Sequence, residues 1–566
     1  MLGLWSSRLD SLAFYDPPKS DGKPTLDAGV TSRKNRGVGA PKMSRRSSGV
    51  LLHPTSLPGP HGSGDLGATA RRFVDFLADA GQTWWQMLPV GPPGYGNSPY
   101  SALSAFAGST LLVSLDMLAQ EGLLDARVLG GDAHLPHDRV DYSKTARFRH
   151  GHLRAAFDSF VRKGGETERA YLAFVGTNAS WLDEFSLYAA LKAAHGETHW
   201  TAWEQGVKKR DPVRLAQARR DLAREIGLVK FAQYQFDKQW RALRAYAHER
   251  GIGLIGDIPI FVAHDSADVW HHKELFRLDK EGEPVVVAGV PPDYFSRTGQ
   301  RWGNPLYRWK AMRRTGYAWW VARFRMMMAR FDAIRLDHFI GFQRYWEIPA
   351  SEPTAIKGRW MKGPGASLFR SVERALGELP LIAEDLGAVT PKVTALRKKF
   401  DLPGIRILQF AFGTDPQAPT FLPHHYPRRC VAYTGTHDND TMLGWFHERG
   451  GGDTSTRSKV DTERERKAAL AYLGSDGNEV HWDMIRVLQM SVADTALVPL
   501  QDILGLGSDA RMNRPGQAGG GANGAHGNWE WRFSKADLTH DLGARLGRLS
   551  SIYGRARDEE GRHEEG

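Results

Sequence analysis

Eight short apolar runs, each ending in polar or charged residues, constrain the fold of this chain more than any other feature. They are SGVLLHP (48–54), TWWQMLP (83–89), GIGLIGDIPIFV (251–262), AIRLDHF (333–339), PLIAEDLG (380–387), GIRILQFAF (404–412), CVAYTGTHD (430–438) and TALVPLQD (495–502). Short apolar runs bounded by turn residues read as buried strands. Between several of them, as in 67–81 and 366–380, apolar residues recur at spacings of three and four, the period of an amphipathic helix. Strands alternating with helices build βαβ units and a parallel sheet. Eight such strands close a TIM (β/α)₈ barrel. The predicted class is α/β, a TIM barrel with inserted, mainly helical subdomains.

The barrel is expected over 47–554. Two gaps between strands exceed a simple crossover. Residues 110–250 read as an inserted, mainly helical subdomain, with helix-like stretches at 168–174 and 213–251. Residues 263–332 hold an aromatic stretch with Gly and Pro, then a helix. Residues 1–46 are rich in Gly, Pro, Ser, Asp and Lys without periodicity and read as a disordered extension. One reading is that translation starts at Met43, just before the first strand-like run. Peptides from before Met43, found by mass spectrometry in protein from the native host, would refute it. The segment RPGQAGGGANGAHGN (514–528) is low-complexity and reads as a flexible loop. Within 534–554, Leu538, Leu542, Leu546, Leu549 and Ile552 share one helical face, with Ser534 and Asp537 as a capping pair. Residues 555–566 read as a charged, disordered tail.

The single cysteine, Cys430, excludes an intrachain disulfide, which fits a reducing, cytoplasmic home. No run of eighteen apolar residues predicts a membrane span, and the N-terminus lacks the apolar core of a secretory signal. The net charge of +11 is spread, with +3 in residues 1–42 and +8 over the rest. A nucleic-acid partner would gather that charge into one patch, so none is expected. Aromatic residues are plentiful, with 18 Trp, 16 Tyr and 25 Phe; they suit sugar stacking and large cores alike.

The stretch FDAIRLDHFIG (331–341) carries Arg335, Asp337 and His338 in an apolar strand. Alternation puts Arg335 and Asp337 on one face, and points His338 and, after Glu384, Asp385 away from the barrel mouth. Charges are seldom buried without a partner or a task. Other strand ends carry Asp257, Glu384 with Asp385, and His437 with Asp438. A salt bridge or a loop cap explains any one such Asp. Carboxylates gathered from several strands at one mouth repel one another and point to function. Paired carboxylates bind metals, act as acid and base, or cleave glycosidic bonds. No H-E-x-x-H, paired C-x-x-C, EF-hand or P-loop pattern occurs, and HDND (437–440) stands alone. Glycosidic cleavage needs one ionised carboxyl and one protonated one. Asp337 and Glu384 on adjacent strands fit, with Arg335 expected to keep Asp337 ionised and Asp337 to raise Glu384.

Seven motifs in order, HPTSLPGPHGSGDLG (53–67), GYGNSPYSALSAFAG (94–108), GDIPIFVAHDSADVW (256–270), GVPPDYFSRTGQRWGNPLYRW (289–309), AIRLDHFIG (333–341), IAEDLG (382–387) and TGTHDND (434–440), together resemble the 4-α-glucanotransferases. These are the amylomaltases or disproportionating enzymes of glycoside hydrolase family 77. The resemblance spans about 48–550. It implies a retaining transglycosylase on an α-amylase-type barrel, moving α-1,4-glucan segments from maltooligosaccharide, starch-type or glycogen-type donors to the 4-hydroxyl of an acceptor glucan or glucose. It implies Asp337 as nucleophile, Glu384 as acid/base, and Asp438 gripping sugar hydroxyls. Arg335 and His437 would bind the same ring, with Asp257 in support. Tyr100 would stack on a sugar, with Ser98 of the same motif beside it. Tyr294, Phe295, Gln300 and Trp302 resemble a lid over the subsites, and Asn513 would reach substrate. A retaining pair lies roughly 5–5.5 Å apart. No metal or cofactor is implied; the expected partners are α-1,4-glucans and maltooligosaccharides, with the chain a monomer or a dimer. The chain departs from the family where it reads RMNRPGQAGGGANGAHGNWEWR (511–532): Arg514 replaces a small hydroxyl residue and the Gly-rich link is long. A glucan hydrolase using the same carboxylates and a non-catalytic glucan-binding protein are the rival readings. The nucleic-acid reading, resting on charge alone, predicts strongly salt-dependent DNA binding.

Overall fold

The eight apolar runs all become strands, and those strands close on one another in a computed structural model that describes residues 45–130, 135–292, 296–450, 457–515 and 527–557. In chain order the strands are β1 (Ser47–Leu51), β2 (Trp84–Gln86), β3 (Gly253–Ile258), β4 (Val286–Val290), β5 (Gln300–Pro305) and β6 (Ala333–Leu336). There follow β7 (Arg344–Pro349), β8 (Arg359–Lys362), β9 (Leu381–Ala383), β10 (Gly404–Ile407), β11 (Cys430–Tyr433) and β12 (Thr495–Pro499). The closed barrel runs β1-β12-β11-β10-β9-β6-β3-β2, and all its pairs are parallel. Strands buried on both faces read as continuous apolar runs, which is why the sequence shows them so plainly.

Alternation divides each strand between two cores. Trp84, Ile255, Ala333, Ile382, Ile405, Ile407, Val431, Tyr433 and Leu497 form one cluster. Their neighbours Trp85, Leu254, Ile334 and Leu336 belong to the large core shared with the helices. The first set fills the barrel. Its columns continue upward, two residues on, to Asp257, Arg335 and Glu384. The site therefore stands on top of the packed interior. Gly49 on β1 permits the close approach of β2 and β12, since a Cβ there would lie 2.3 Å from the Trp84 carbonyl oxygen.

The stretch between β2 and β3 is mainly helical, with Tyr142–Arg162, Arg169–Ala194, Pro212–Asp221 and Ala223–Glu249 the longest helices. The periodic stretch 213–251 is two helices, not one, because Leu222 leaves helical geometry at φ −106°, ψ 21°. Strands β4, β5, β7 and β8 form a second, antiparallel sheet in the order β5-β4-β7-β8. Two of them lie in 263–332, where the sequence predicts an aromatic stretch with Gly and Pro, then a helix; that helix is Ala318–Arg330.

The boundary at 554 is too early. Arg555 is fully buried and donates to the carbonyls of Ser47, Gln489, Ser491 and Ala493. Arg46 likewise holds Tyr553, Ser491 and Gln489, so the ordered barrel starts before residue 47. Ser534 and Asp537 do form a capping box, but around the short 3₁₀ turn Lys535–Asp537. Thr539 caps the α-helix His540–Ile552. Ile552 does not join the buried face; it is 71% exposed. The remainder of the expected extension and tail, residues 1–44 and 558–566, lies outside the described residues, as does 516–526 of the expected flexible loop.

Candidate active site

β6 ends at Leu336, one residue before Asp337. The Asp337 N–H still bonds the Ile258 carbonyl at the end of β3, which fixes the carboxyl above the barrel. His338 then turns the chain in the left-handed region, at φ 49°. Alternation therefore stops before His338, and the expectation that it points away from the mouth is wrong. Its N–H donates to Glu384 Oε2 at 2.5 Å, and its ring meets Trp302 edge-on at 4.9 Å. Asp385 is buried; it accepts the Ile405 N–H and pairs with Arg397 at 2.9 Å, tying β9 to β10.

One guanidinium serves three carboxyls. Arg335 Nη1 lies 2.5 Å from Asp257 Oδ2 and 3.1 Å from Asp337 Oδ1, and Nη2 lies 3.0 Å from Glu384 Oε1. Tyr100 donates its hydroxyl to Asp257 Oδ2 at 2.7 Å. Its ring stacks on His437 at 5.1 Å and 11°. Ser98 accepts the Tyr100 N–H and fixes that turn. Asn513 Nδ2 donates to Asp438 Oδ1 at 2.6 Å, and His437 Nε2 lies 3.4 Å from the same oxygen.

Burial, the charge of Glu384 and the weaker pull of Arg335 leave Asp337 well above the usual carboxylate range. Burial also raises Glu384, against Arg335 and the His338 N–H. Burial pushes Asp257 up to about 6, with Arg335 opposing. Arg335 does pull Asp337 toward the ionised form, as expected, but burial and Glu384 outweigh it. A single positive charge shared among three carboxyls cannot hold all of them as anions, and its shortest contact goes to Asp257. His437 and His338 are both pushed down to about 4 by burial, so both stay neutral near pH 7.

Asp337, Glu384 and Asp438 share one cleft of about 830 Å³ with Ser98, Tyr100, Gln300, Trp302, His437 and Asn513. Trp302 Nε1 donates to Gln300 Oε1 at 3.1 Å. Tyr294 and Phe295, predicted for the same loop, lie outside the described residues. Arg335 and Asp257, predicted as sugar-binding, are each only 2% exposed and do not line the cleft; Arg335 meets it through the Asp337 and Glu384 carboxyls, and Asp257 through Arg335 and Tyr100. Sequence reasoning missed Arg511, which grips the Asp438 carbonyl at 2.8 Å and the Asn513 carbonyl at 2.7 Å. It also missed Trp529, 5.8 Å from Tyr100 and 6.0 Å from His437. The RMN and NWEWR motifs that carry them were the available signal. Arg514, at the departure from the family pattern, donates its N–H to Asn528 Oδ1 at 2.9 Å and its guanidinium to the Ser508 carbonyl at 3.0 Å. The rim is therefore closed at both ends of the Gly-rich link.

Below the mouth, Asp502 is buried while accepting from Thr434 Oγ1 at 2.6 Å and the Met442 N–H at 2.7 Å. Burial pushes it up to about 6. An acid raised on folding favours the fold while protonated, and that contribution is lost as pH rises through the folded value. Asp502→Asn, neutral throughout, is expected to be more stable than wild type above about pH 6, by up to ~3 kcal/mol, and to lose that margin below about pH 4. Denaturant unfolding across this range checks it; parallel stability curves would contradict it.

Among the described residues, no three His, Cys, Asp or Glu side chains are grouped to hold a metal ion, and no helix is long and apolar enough to cross a membrane. A parallel barrel that gathers carboxyls from neighbouring strands over an aromatic-lined cleft defines a class: barrel enzymes that act on glycosidic bonds. Residues 52–539 match the family model of glycoside hydrolase family 77, 4-alpha-glucanotransferase. The 4-alpha-glucanotransferase of Thermus thermophilus is 48% identical over 510 residues, 88% of this chain and 97% of that one. That of Synechocystis is 45% identical over 519 residues, 91% and 99% of the two chains. The structure of an amylomaltase from Streptococcus agalactiae in complex with acarbose superposes with a TM-score of 0.84 at 36% identity, over 91% of this chain and all of that one. The chain belongs to the 4-alpha-glucanotransferases of glycoside hydrolase family 77.

Proposed function

We propose that the enzyme transfers α-1,4-glucan segments from a donor maltooligosaccharide, starch-type or glycogen-type glucan to the 4-hydroxyl of an acceptor glucan or glucose, with retention, through a glycosyl ester on Asp337. The observation that carries this reading is the Asp337–Glu384 pair on one guanidinium, both carboxyls raised, which favours one shared proton over two anions. With a glucan in the cleft, Glu384 gives that proton to the leaving glycosidic oxygen while ionised Asp337 attacks the anomeric carbon. The shortened donor leaves. Glu384, now a base, takes the proton from the acceptor 4-hydroxyl, whose oxygen displaces Asp337. Asp438, held by Asn513 and Arg511, accepts hydroxyl hydrogens of the distorted ring, and Tyr100 stacks beneath it. Gln300 and Trp302 cover the intermediate and favour a sugar over water. Residues 110–250 and 263–332 act as insertions on the barrel, the second carrying this cover. We place the enzyme in the cytoplasm, where its one buried cysteine, Cys430, stays reduced.

Incubation with maltotriose tests the reading. Glucose together with a ladder of longer maltooligosaccharides is the expected result. Glucose and maltose without longer chains would mean a hydrolase, and no change would mean a glucan-binding protein.

A further inference from the structure

The cleft runs on from the catalytic carboxyls to the edge of the second sheet, where Trp360 on β8 lines it. Trp360 pairs directly across the sheet with Trp346, whose ring meets it at 5.3 Å and 67°. Trp346 is itself anchored, its Nε1 donating to the Ala355 carbonyl at 2.9 Å. The Arg344 guanidinium lies over the Trp360 ring, 4.0 Å from its centroid. Arg344 donates onward to the Ala388 carbonyl at 2.8 Å, and Ala388 lines the cleft four residues after Glu384. The indole is thus braced at one face and one edge, and tied to the rim of the site. An edge strand needs no tryptophan for its ladder, and this ring, partly buried against the main core, still leaves part of its surface on the cleft. A pyranose has an apolar C–H face that fits an aromatic plane, and an indole held in place binds it without first losing rotamer freedom. A cleft of about 830 Å³ is at the large end for a drug-sized ligand and holds more than one glucose residue.

We propose that Trp360 is a remote glucan platform, stacking a glucose residue of a long α-1,4-glucan away from the bond being broken. Its function is to select for chain length. The inference rests on the glucan-transfer reading above and deepens it.

The test compares maltotriose with maltoheptaose as donors for wild type, Trp360→Ala and Trp360→Phe. In Trp360→Ala the ratio of the maltoheptaose KM to the maltotriose KM is expected to rise about fivefold, the effect of removing one aromatic stacking partner, and Trp360→Phe should recover most of it. A ratio unchanged in Trp360→Ala, or a Phe variant no better than Ala, overturns the platform. A folding defect lowers the melting temperature and the apparent kcat on both donors alike without raising the KM ratio, so it cannot imitate the platform. Retardation of each variant in amylose-containing gels reads the platform without turnover. A wild type retarded by amylose but inactive on both donors would overturn the transfer reading alone. Equal retardation of wild type and Trp360→Ala would overturn the platform alone.

Discussion

Asp337→Asn is expected to abolish glucan transfer, lowering kcat on maltotriose on the order of 10⁵-fold, as nucleophile removal does elsewhere. Asn keeps the shape and the carbonyl oxygen that faces Arg335 Nη1, now 3.1 Å from Asp337 Oδ1. Arg335 keeps Asp257 and Glu384, so no buried charge is orphaned and the barrel should stay folded. Affinity for maltoheptaose, read by calorimetry, should therefore change far less than the rate. A variant with a tenth of wild-type activity would show that Asp337 is not the nucleophile.

Glu384→Gln should separate the two halves of the reaction. Maltotriose needs a proton on its leaving oxygen, and losing the general acid is expected to slow that step about 10³-fold. An α-maltosyl fluoride needs no such proton, so Asp337 should still be glycosylated by it at a rate near that of wild type. Transfer to an acceptor would then stall, because no base remains. The pH dependence should move as well. Glu384 is one cause of the raised Asp337 carboxyl, second only to burial. Removing its charge lowers Asp337, so the variant's reaction with the fluoride should persist to lower pH than that of wild type. Stopped-flow release of fluoride across pH checks both points; an acid limb displaced to higher pH would contradict this coupling between the two carboxyls.

Much of this site was visible in the sequence because of how a buried barrel is written. Strands covered on both faces are apolar throughout, so all eight stood out, and the charges that interrupt them marked the mouth. The second sheet did not stand out. VVAGV is short, QRWGNP and RWMK mix polar with aromatic residues, and all three belong to a sheet whose pairing is set by distant segments. The expectation for His338 fails because it extends alternation two residues past the end of β6, across the left-handed turn at His338 itself. Arg335 was read beside Asp337, its neighbour two residues on, since spacing along one strand is visible. Its tighter contact with Asp257 on β3 exists only once β3 and β6 pair. Arg511 and Trp529 join the site from a segment far along the chain; the RMN and NWEWR motifs mark them, but their contacts with the Asp438 carbonyl and Tyr100 exist only in the fold.

The most direct test of a glycosyl ester on Asp337 uses Glu384→Gln, which should form the ester and fail to discharge it. After incubation with maltosyl fluoride, protease digestion and mass spectrometry should find one maltosyl unit on the peptide that carries Asp337. A fluoride-consuming variant with no adduct, or with the sugar on Asp438 or Asp257, would contradict the proposed mechanism.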